Sequence, residues 1–216
     1  MADLIIGRVA EQEILRQRVA SDSSELIAIY GRRRIGKTFL VRQYFNDAFT
    51  FQFTGIYQGT KSEQLSAFNR QLEYYSGIRH DVAKDWFEAF AQLRDYLQSV
   101  EGDTPLLVFL DELPWMDTPR SGFITALEHF WNGWGAGREN LMLIVCGSAT
   151  SWISDKLLNN RGGLFDRTTD EIKLRPFTLG ECESYYKENG IVMSKYDQVQ
   201  CYMATGGIPY YISMLQ

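Results

Sequence analysis

Hydrophobic positions along the chain fall into short apolar runs that alternate with segments of helical spacing. Segment 105–112 is a continuous apolar run, which is typical of a strand covered on both faces of a parallel sheet. Segment 121–134 places its large apolar residues at steps of three and four, which predicts an amphipathic helix. Five strands are predicted in this way, at 25–31, 50–55, 105–112, 141–148 and 171–176. Their alternation with helices predicts an α/β fold, with a five-stranded parallel sheet flanked by helices.

The pattern becomes purely helical near residue 177. Thr178 is followed three residues later by Glu181, which is the sequence signature of a capping box at the start of a helix. We therefore predict an α/β domain over 1–176 and a small helical lid over 177–216. Because the helical pattern is still running at the last residue, we expect the lid to continue beyond it.

Composition and charge narrow the class of protein. The 216 residues are 45 % hydrophobic and 23 % charged, which excludes disordered, collagenous and coiled-coil proteins. A net charge of −5 argues against a surface that coats nucleic acid. The first 45 residues nevertheless carry eight basic and five acidic side chains, so any anion site is expected near the N-terminus.

The cysteine content bears on metal binding and disulfide formation, and the N-terminal segment bears on the cellular compartment. Three cysteines without close spacing, and two histidines, give neither a zinc motif nor a disulfide framework. The first residues, MADLIIGRVAEQE, become charged before an apolar stretch of signal-peptide length accumulates, and no run approaches the length needed to span a bilayer. We therefore expect a cytoplasmic protein without a membrane partner.

Residues 31–38, GRRRIGKT, carry the strongest motif, because they fit G-x-x-x-x-G-K-[ST]. The motif follows a predicted strand and begins a helix, where backbone N–H groups and the helix dipole converge on phosphate. Lys37 is expected to reach the β- and γ-phosphates, and the Thr38 hydroxyl to coordinate magnesium.

Three further polar residues end predicted parallel strands, so they are expected at the same edge of the sheet as the phosphate loop. Asp111 is suited to hold magnesium through water, and Glu112 to deprotonate the attacking water. Ser148 is expected to hydrogen-bond the γ-phosphate or that water.

Several arginines are candidates for anion contacts. Arg167 or Arg161, before the fifth strand, is a candidate finger that completes the transition state of a neighbouring molecule. Three consecutive arginines, 32–34, form a local basic patch that faces nucleotide, an acidic partner or nucleic acid, with no choice among these from the sequence.

Some classes of phosphate-loop protein lack support. The chain has no N-K-x-D guanine-reading motif and no L-S-G-G-Q stretch, which argues against a GTPase and a transporter-type ATPase. After Arg175 the only basic residues are Lys187 and Lys195, whereas a small-molecule kinase needs an arginine-rich lid.

Six segments together resemble the archaeal-type ATPase family, which belongs to the AAA+-like and signal-transducing (STAND) phosphate-loop ATPases. The resemblance covers essentially the whole chain. In order, the segments are IIGRVAEQEILR, GRRRIGKTFL, LLVFLDELPW, IVCGSATSWI, GGLFDRTTDEIKLRPFTLGE and ATGGIPYYI.

The resemblance implies roles for individual residues. Gly7 and Arg8 look like a box that lies against adenine, with Glu11 fixing its helix. Residues 31–38 look like Walker A, 111–112 like Walker B, and Ser148 like a serine form of sensor 1. Gly206, Gly207 and Pro209 look like the lid motif whose proline packs on adenine. The implied nucleotide-binding set is Gly7, Arg8, Arg33, Arg34, Ile35, Gly36, Lys37, Thr38, Phe39 and Pro209; the catalytic set is Lys37, Glu112, Ser148 and Arg167; and the metal set is Thr38 and Asp111.

Two functional hypotheses follow. The first is a magnesium-dependent ATPase, with ATP and ADP as ligands, that acts as a nucleotide-driven conformational switch. The second is a nucleotide-dependent module that binds DNA or protein and for which hydrolysis is incidental. The resemblance also implies a C-terminal partner-binding domain, absent here, and nucleotide-dependent homo-oligomers.

Overall fold

A parallel sheet forms the centre of the fold in a computed structural model, which describes residues 5–100, 105–158, 164 and 167–215. Its strands are β1 (Glu25–Tyr30), β2 (Phe51–Thr54), β3 (Leu106–Asp111), β4 (Leu141–Gly147) and β5 (Asp170–Lys173). The predicted five-stranded parallel sheet is confirmed. β5 ends earlier than predicted: Leu174 still donates its N–H to the Tyr30 carbonyl, but Pro176 has no N–H to continue the ladder.

The strand order is β2-β3-β4-β1-β5, with every neighbouring pair parallel. β4 therefore lies between β1 and β3 and pairs with both along most of its length. All residues of β1, β3 and β4 are buried, as expected for strands covered on two faces.

Helices cover the sheet and continue after it. Short 3₁₀ turns at Gly135–Gly137 and Ser213–Leu215 and a π turn at Ile153–Leu158 complete the regular structure of the described residues. The α-helices are α1 (Val9–Val19), α2 (Lys37–Tyr44), α3 (Lys61–Ser76), α4 (Trp86–Ser99), α5 (Leu113–Met116), α6 (Phe123–Gly133), α7 (Thr150–Trp152), α8 (Leu179–Glu188), α9 (Lys195–Thr205) and α10 (Pro209–Ile212).

The core consists of one hydrophobic cluster on each face of the sheet. Leu26 and Ala28 of β1 belong to the cluster that α3, α4 and α6 cover, where Trp86 packs edge-on against Phe123. Ile27 belongs to the other cluster, which α1 and α2 cover. Full burial of each such side chain stabilises the fold by about 1.5–3 kcal/mol, so both faces anchor the strands.

Residues after 176 have a hydrophobic cluster of their own, formed around Phe177, Tyr186 and Ile212. The predicted capping box is confirmed: Glu181 N donates to Thr178 Oγ1 (3.2 Å), and Thr178 N donates to Glu181 Oε2 (2.8 Å). This box fixes the start of α8 beside the α/β part of the chain.

Candidate functional site

The loop of residues 31–36 joins β1 to α2. Gly31 has φ 146°, and a Cβ there would collide with the Leu174 carbonyl, so only glycine fits. Lys37 folds back over the loop, where its Nζ donates to the carbonyls of Gly31 (3.1 Å) and Arg32 (3.0 Å). Burial lowers the pKa of Lys37, while the nearby Glu112 carboxylate opposes that shift. A desolvated ammonium group that donates to two carbonyl groups is a favourable partner for an incoming anion.

Two side-chain oxygen atoms, from Thr38 and Asp111, meet near the carboxyl end of β3. Thr38 Oγ1, at the start of α2, donates to Asp111 Oδ2 at 2.7 Å. Asp111 is 4 % exposed, and burial raises its pKa although bonds from Thr38 and the Glu112 N–H oppose the shift. Hydroxyl and carboxylate oxygens suit a hard divalent cation. No cluster of three His, Cys, Asp or Glu occurs in the described part of the chain, so these two residues fit magnesium only if the ligand's phosphates and water complete its shell.

Glu112 follows β3 in a left-handed backbone conformation, with φ 48°. Its Oε2 accepts hydrogen bonds from the backbone N–H (3.2 Å) and the hydroxyl (2.8 Å) of Ser148, which follows β4. The predicted neighbours at this edge of the sheet therefore meet, but Ser148 contacts the acid rather than standing alone.

A cavity of about 1270 Å³ opens between the loop, the N-terminal segment and helices α8 and α10. This volume is ample for a ligand of nucleotide size. Most of the residues predicted as nucleotide-binding or catalytic line it: Arg8, Arg33, Arg34, Ile35, Gly36, Lys37, Thr38, Phe39, Glu112 and Pro209. Gly7, Asp111 and Ser148 are not among the described residues that line it, although Asp111 and Ser148 contact the lining residues Thr38 and Glu112.

Arg8 is a buried bridge between three parts of the chain. Its Nη2 donates to the Ile35 carbonyl of the loop (3.2 Å), and its guanidinium lies 4.7 Å from the centre of the Phe177 ring. Its backbone N–H donates to Glu181 Oε1 (3.1 Å), the carboxylate that also caps α8. Burial lowers the pKa of Arg8, and the carboxylates of Glu181 and Glu11 raise it. The predicted adenine box is thus tied to both the loop and the helical tail.

The three consecutive arginines have different surroundings. The Arg34 guanidinium lies 4.5 Å from the Tyr210 ring centre and donates to Tyr211 Oη (3.1 Å). Arg33 lies 5.5 Å from the ring centres of both Tyr57 and Trp115, beside a separate cleft of about 530 Å³. The basic patch read from the sequence is therefore divided between α10 and an aromatic pair.

Arg167 is exposed and precedes β5, so it lies toward the amino end of that strand, opposite the edge that carries the loop. Arg167 is not one of the described residues that line the cavity of its own chain. Its role as a finger for a neighbouring molecule stays a prediction. Arg161 lies outside the described residues.

Sequence reasoning missed several residues of the cavity wall, most of them apolar or aromatic. A usable signal was present for Tyr210 and Tyr211, because they directly follow Pro209 in the segment ATGGIPYYI, which already resembled the lid motif. The missed lining residues are Ile5, Ile6, Phe177, Tyr185, Glu188, Asn189, Ile208, Tyr210, Tyr211 and Ser213.

Comparison with known proteins gives a family match over nearly the whole chain. The family described as "ATPase domain predominantly from Archaea" matches residues 6–215. An uncharacterised protein of Methanocaldococcus jannaschii is 22 % identical over 218 residues, covering 99 % of this chain and 44 % of its own length.

Solved structures share the fold at low sequence identity. A Walker-type ATPase of Pyrococcus abyssi has a TM-score of 0.65 at 18 % identity, over 96 % of this chain and 65 % of its own. The ORC2 protein of Aeropyrum pernix, in ADPNP–ADP complexes, has a TM-score of 0.60 at 17 % identity, over 91 % and 56 %. Drosophila ORC bound to DNA has a TM-score of 0.66 at 14 % identity, over 97 % and 54 %. The chain thus spans between 44 % and 65 % of these proteins.

None of the helices in the described ranges is both long enough and apolar enough to cross a bilayer.

Proposed function

The chain belongs to the family of ATPase domains predominantly from Archaea, and from this premise we propose that it is a magnesium-dependent ATPase module that acts as a nucleotide-driven conformational switch. The observation that carries the proposal is the meeting of Lys37, Thr38 and Glu112 at one cavity bounded by the helical tail. We propose 1–176 as the ATPase domain and 177–216 as the lid.

The loop binds the triphosphate of ATP through its backbone N–H groups and Lys37. The ammonium exchanges its contacts with the carbonyls of Gly31 and Arg32 for phosphate oxygens. Thr38 and Asp111 would hold magnesium, which would supply neutralisation of the phosphate charge.

Glu112 is the general base for the attacking water. Its carboxylate accepts a proton from water as the water oxygen bonds to the γ-phosphorus and the bond between that phosphorus and the ADP oxygen breaks. The products are ADP and inorganic phosphate, with the proton first held on Glu112. The cavity wall formed by Ile208, Pro209 and Tyr210 limits access of bulk water.

The switch is supported by contacts that join the loop to the lid. Arg34 is held by α10, and Arg8 joins the loop carbonyl of Ile35 to Phe177 and Glu181. Adenine bound against Arg8 and Pro209 adds contacts to both parts at once, so nucleotide state biases the lid position.

The first test is thermal unfolding with ATP, ADP and GTP, each with and without magnesium. Ligand at 100 times its Kd stabilises the folded state by about 2.7 kcal/mol, a rise of about 5–11 °C for a domain of this size. Adenine nucleotide with magnesium is expected to give this rise for the wild type and for the control Lys84→Ala, an exposed lysine, but not for Lys37→Ala. Equal shifts for Lys37→Ala and wild type contradict the proposed site, and absence of phosphate release by the wild type contradicts the ATPase activity.

A second function, nucleotide-dependent binding of DNA or protein with incidental hydrolysis, is favoured by the aromatic pair of Tyr57 and Trp115 beside Arg33. Tyr57 is 58 % exposed and contacts Trp115 edge-on at 5.3 Å. Glu112→Gln discriminates the two functions: binding of a partner that survives the loss of hydrolysis supports the second. We also propose that Arg167 acts as a finger at the nucleotide site of a second copy of the chain. Light scattering with and without nucleotide tests whether the homo-oligomer that this role requires is formed.

A further inference from the structure

Ser148 contacts Glu112 through two hydrogen bonds. Glu112 lines the cavity, whereas Ser148 is absent from the described residues that do so. Both donors of Ser148, the backbone N–H and the hydroxyl, point to the same carboxylate oxygen, Oε2, at 3.2 and 2.8 Å. The serine therefore engages one oxygen of the acid and leaves the other, Oε1, as the atom able to act on water.

The main chain of Glu112 has close contacts at its N–H and at its carbonyl group. Its N–H donates to Asp111 Oδ1 at 2.9 Å. Its carbonyl oxygen is closely approached by Gly55, where a Cβ would lie 2.9 Å from it. The two bonds from Ser148 to Oε2 in turn restrict the direction of the carboxylate.

A donor count separates two roles for the serine. A serine side chain has one O–H, and here it is donated to Glu112. The main-chain N–H of the same residue is donated there as well. A γ-phosphate offers only acceptor oxygens, so the Ser148 hydroxyl cannot donate to it without giving up its own bond to Glu112.

We propose that Ser148 is a positioning residue for hydrolysis, which fixes the Glu112 carboxylate through Oε2 and does not read the terminal phosphate directly. This inference rests on the proposed ATPase function. It differs from the sensor role expected from the sequence, because the serine acts on the rate only through the acid.

A double-mutant cycle of wild type, Ser148→Ala, Glu112→Gln and the pair measures this coupling. Loss of one hydrogen bond to a charged group predicts that Ser148→Ala lowers kcat about tenfold, with Kd for ATP and ADP unchanged within about twofold. In the Glu112→Gln background the same change is expected to have no further effect, because effects transmitted through one group do not add. Ser148→Thr, which keeps the hydroxyl, is expected to retain activity, and Thr150→Ala controls for loss of a neighbouring hydroxyl.

The opposite outcomes overturn the inference. A direct phosphate sensor predicts that Ser148→Ala weakens ATP binding and leaves ADP binding unchanged, in both backgrounds. Melting temperatures of the nucleotide-free proteins decide the question even if the wild type does not hydrolyse ATP. The decreases in Tm caused by Ser148→Ala and Glu112→Ala are then expected to be non-additive, so that the double variant is no less stable than Glu112→Ala. Additive decreases in Tm contradict the hydrogen-bonded pair.

Discussion

Replacing Arg8 by alanine removes the side chain that joins the loop, α1 and Phe177. Arg8 is 5 % exposed. Its backbone φ of 56° is equally unfavourable for arginine and alanine, so the loss of stability in the variant comes from side-chain contacts alone. The contacts are the bond to the Ile35 carbonyl, the stacking on Phe177 and the ion pair with Glu11 at 3.7 Å.

The magnitude follows from those contacts. A buried hydrogen bond from a charged group contributes about 1.5–3 kcal/mol, and a desolvated cation–π contact about 0.5–2 kcal/mol. The contacts share one guanidinium and its desolvation cost opposes them, so we expect a net loss of about 3 kcal/mol. For a protein of this size that loss lowers Tm by about 6–12 °C.

Arg16→Ala is the matched control, because Arg16 also lies on α1 and pairs with an acid three residues away, Glu13. That pair is exposed, at 67 % and 45 % of the two side chains, so its removal is expected to leave Tm almost unchanged. Differential scanning fluorimetry of both variants without nucleotide checks the difference. Equal melting temperatures for Arg8→Ala and Arg16→Ala would refute the role of Arg8 as a bridge between the loop and the helical tail.

Three further predictions rest on single groups. Asp111→Asn is expected to raise the Tm of the nucleotide-free protein at pH 7, because burial raises the pKa of the carboxyl and makes its charged form costly in the folded state. This gain in Tm shrinks as the pH falls and the wild-type acid becomes protonated. In the same melting assay, the variant is expected to lose the magnesium-dependent part of the Tm rise caused by nucleotide. Gly207→Ala is expected to lower Tm by several degrees, because Gly207 has a φ of 68° and the Phe177 carbonyl leaves no room for a Cβ. Gly122→Ala is the control, because Gly122 has a φ of 70° but open space around it, so this variant shows the effect of backbone strain alone. Equal decreases in Tm for the two variants contradict this reasoning. Arg34→Ala is expected to weaken ATP binding severalfold in equilibrium titrations by releasing α10 from the loop, and an unchanged Kd contradicts that link.

Strand positions could be predicted because they depend on local runs. β3 and β4 are continuous apolar segments bounded by polar residues, and both lie within a residue of their predicted ends. The loop at 31–38 was equally accessible, since glycine requirements and the order of strand, loop and helix are written in consecutive residues. The edge of the sheet at which 111, 112 and 148 meet follows from the direction of parallel strands.

The partners of individual side chains could not be predicted in the same way. Arg34 finds Tyr211 across 177 residues of sequence, and Arg8 finds Glu181 across 173. Glu181 is identifiable as a helix-capping residue, but its second oxygen serves a distant backbone N–H, which no local pattern encodes. Such contacts depend on how helices pack after the sheet has formed, and a motif specifies backbone shape rather than the destination of a long side chain.

The position of β4 determines when the site can first exist during synthesis. The loop follows β1 and the acids end β3, yet these strands never pair; both pair with β4, which is made about thirty residues after β3. A nascent chain that ends before Leu141 already carries both motifs, but lacks the strand that holds them two inter-strand spacings apart, roughly 10 Å. Chains arrested on the ribosome before and after residues 141–148 have emerged should therefore differ abruptly in the resistance of β1 and β3 to proteolysis, as β4 inserts between its neighbours.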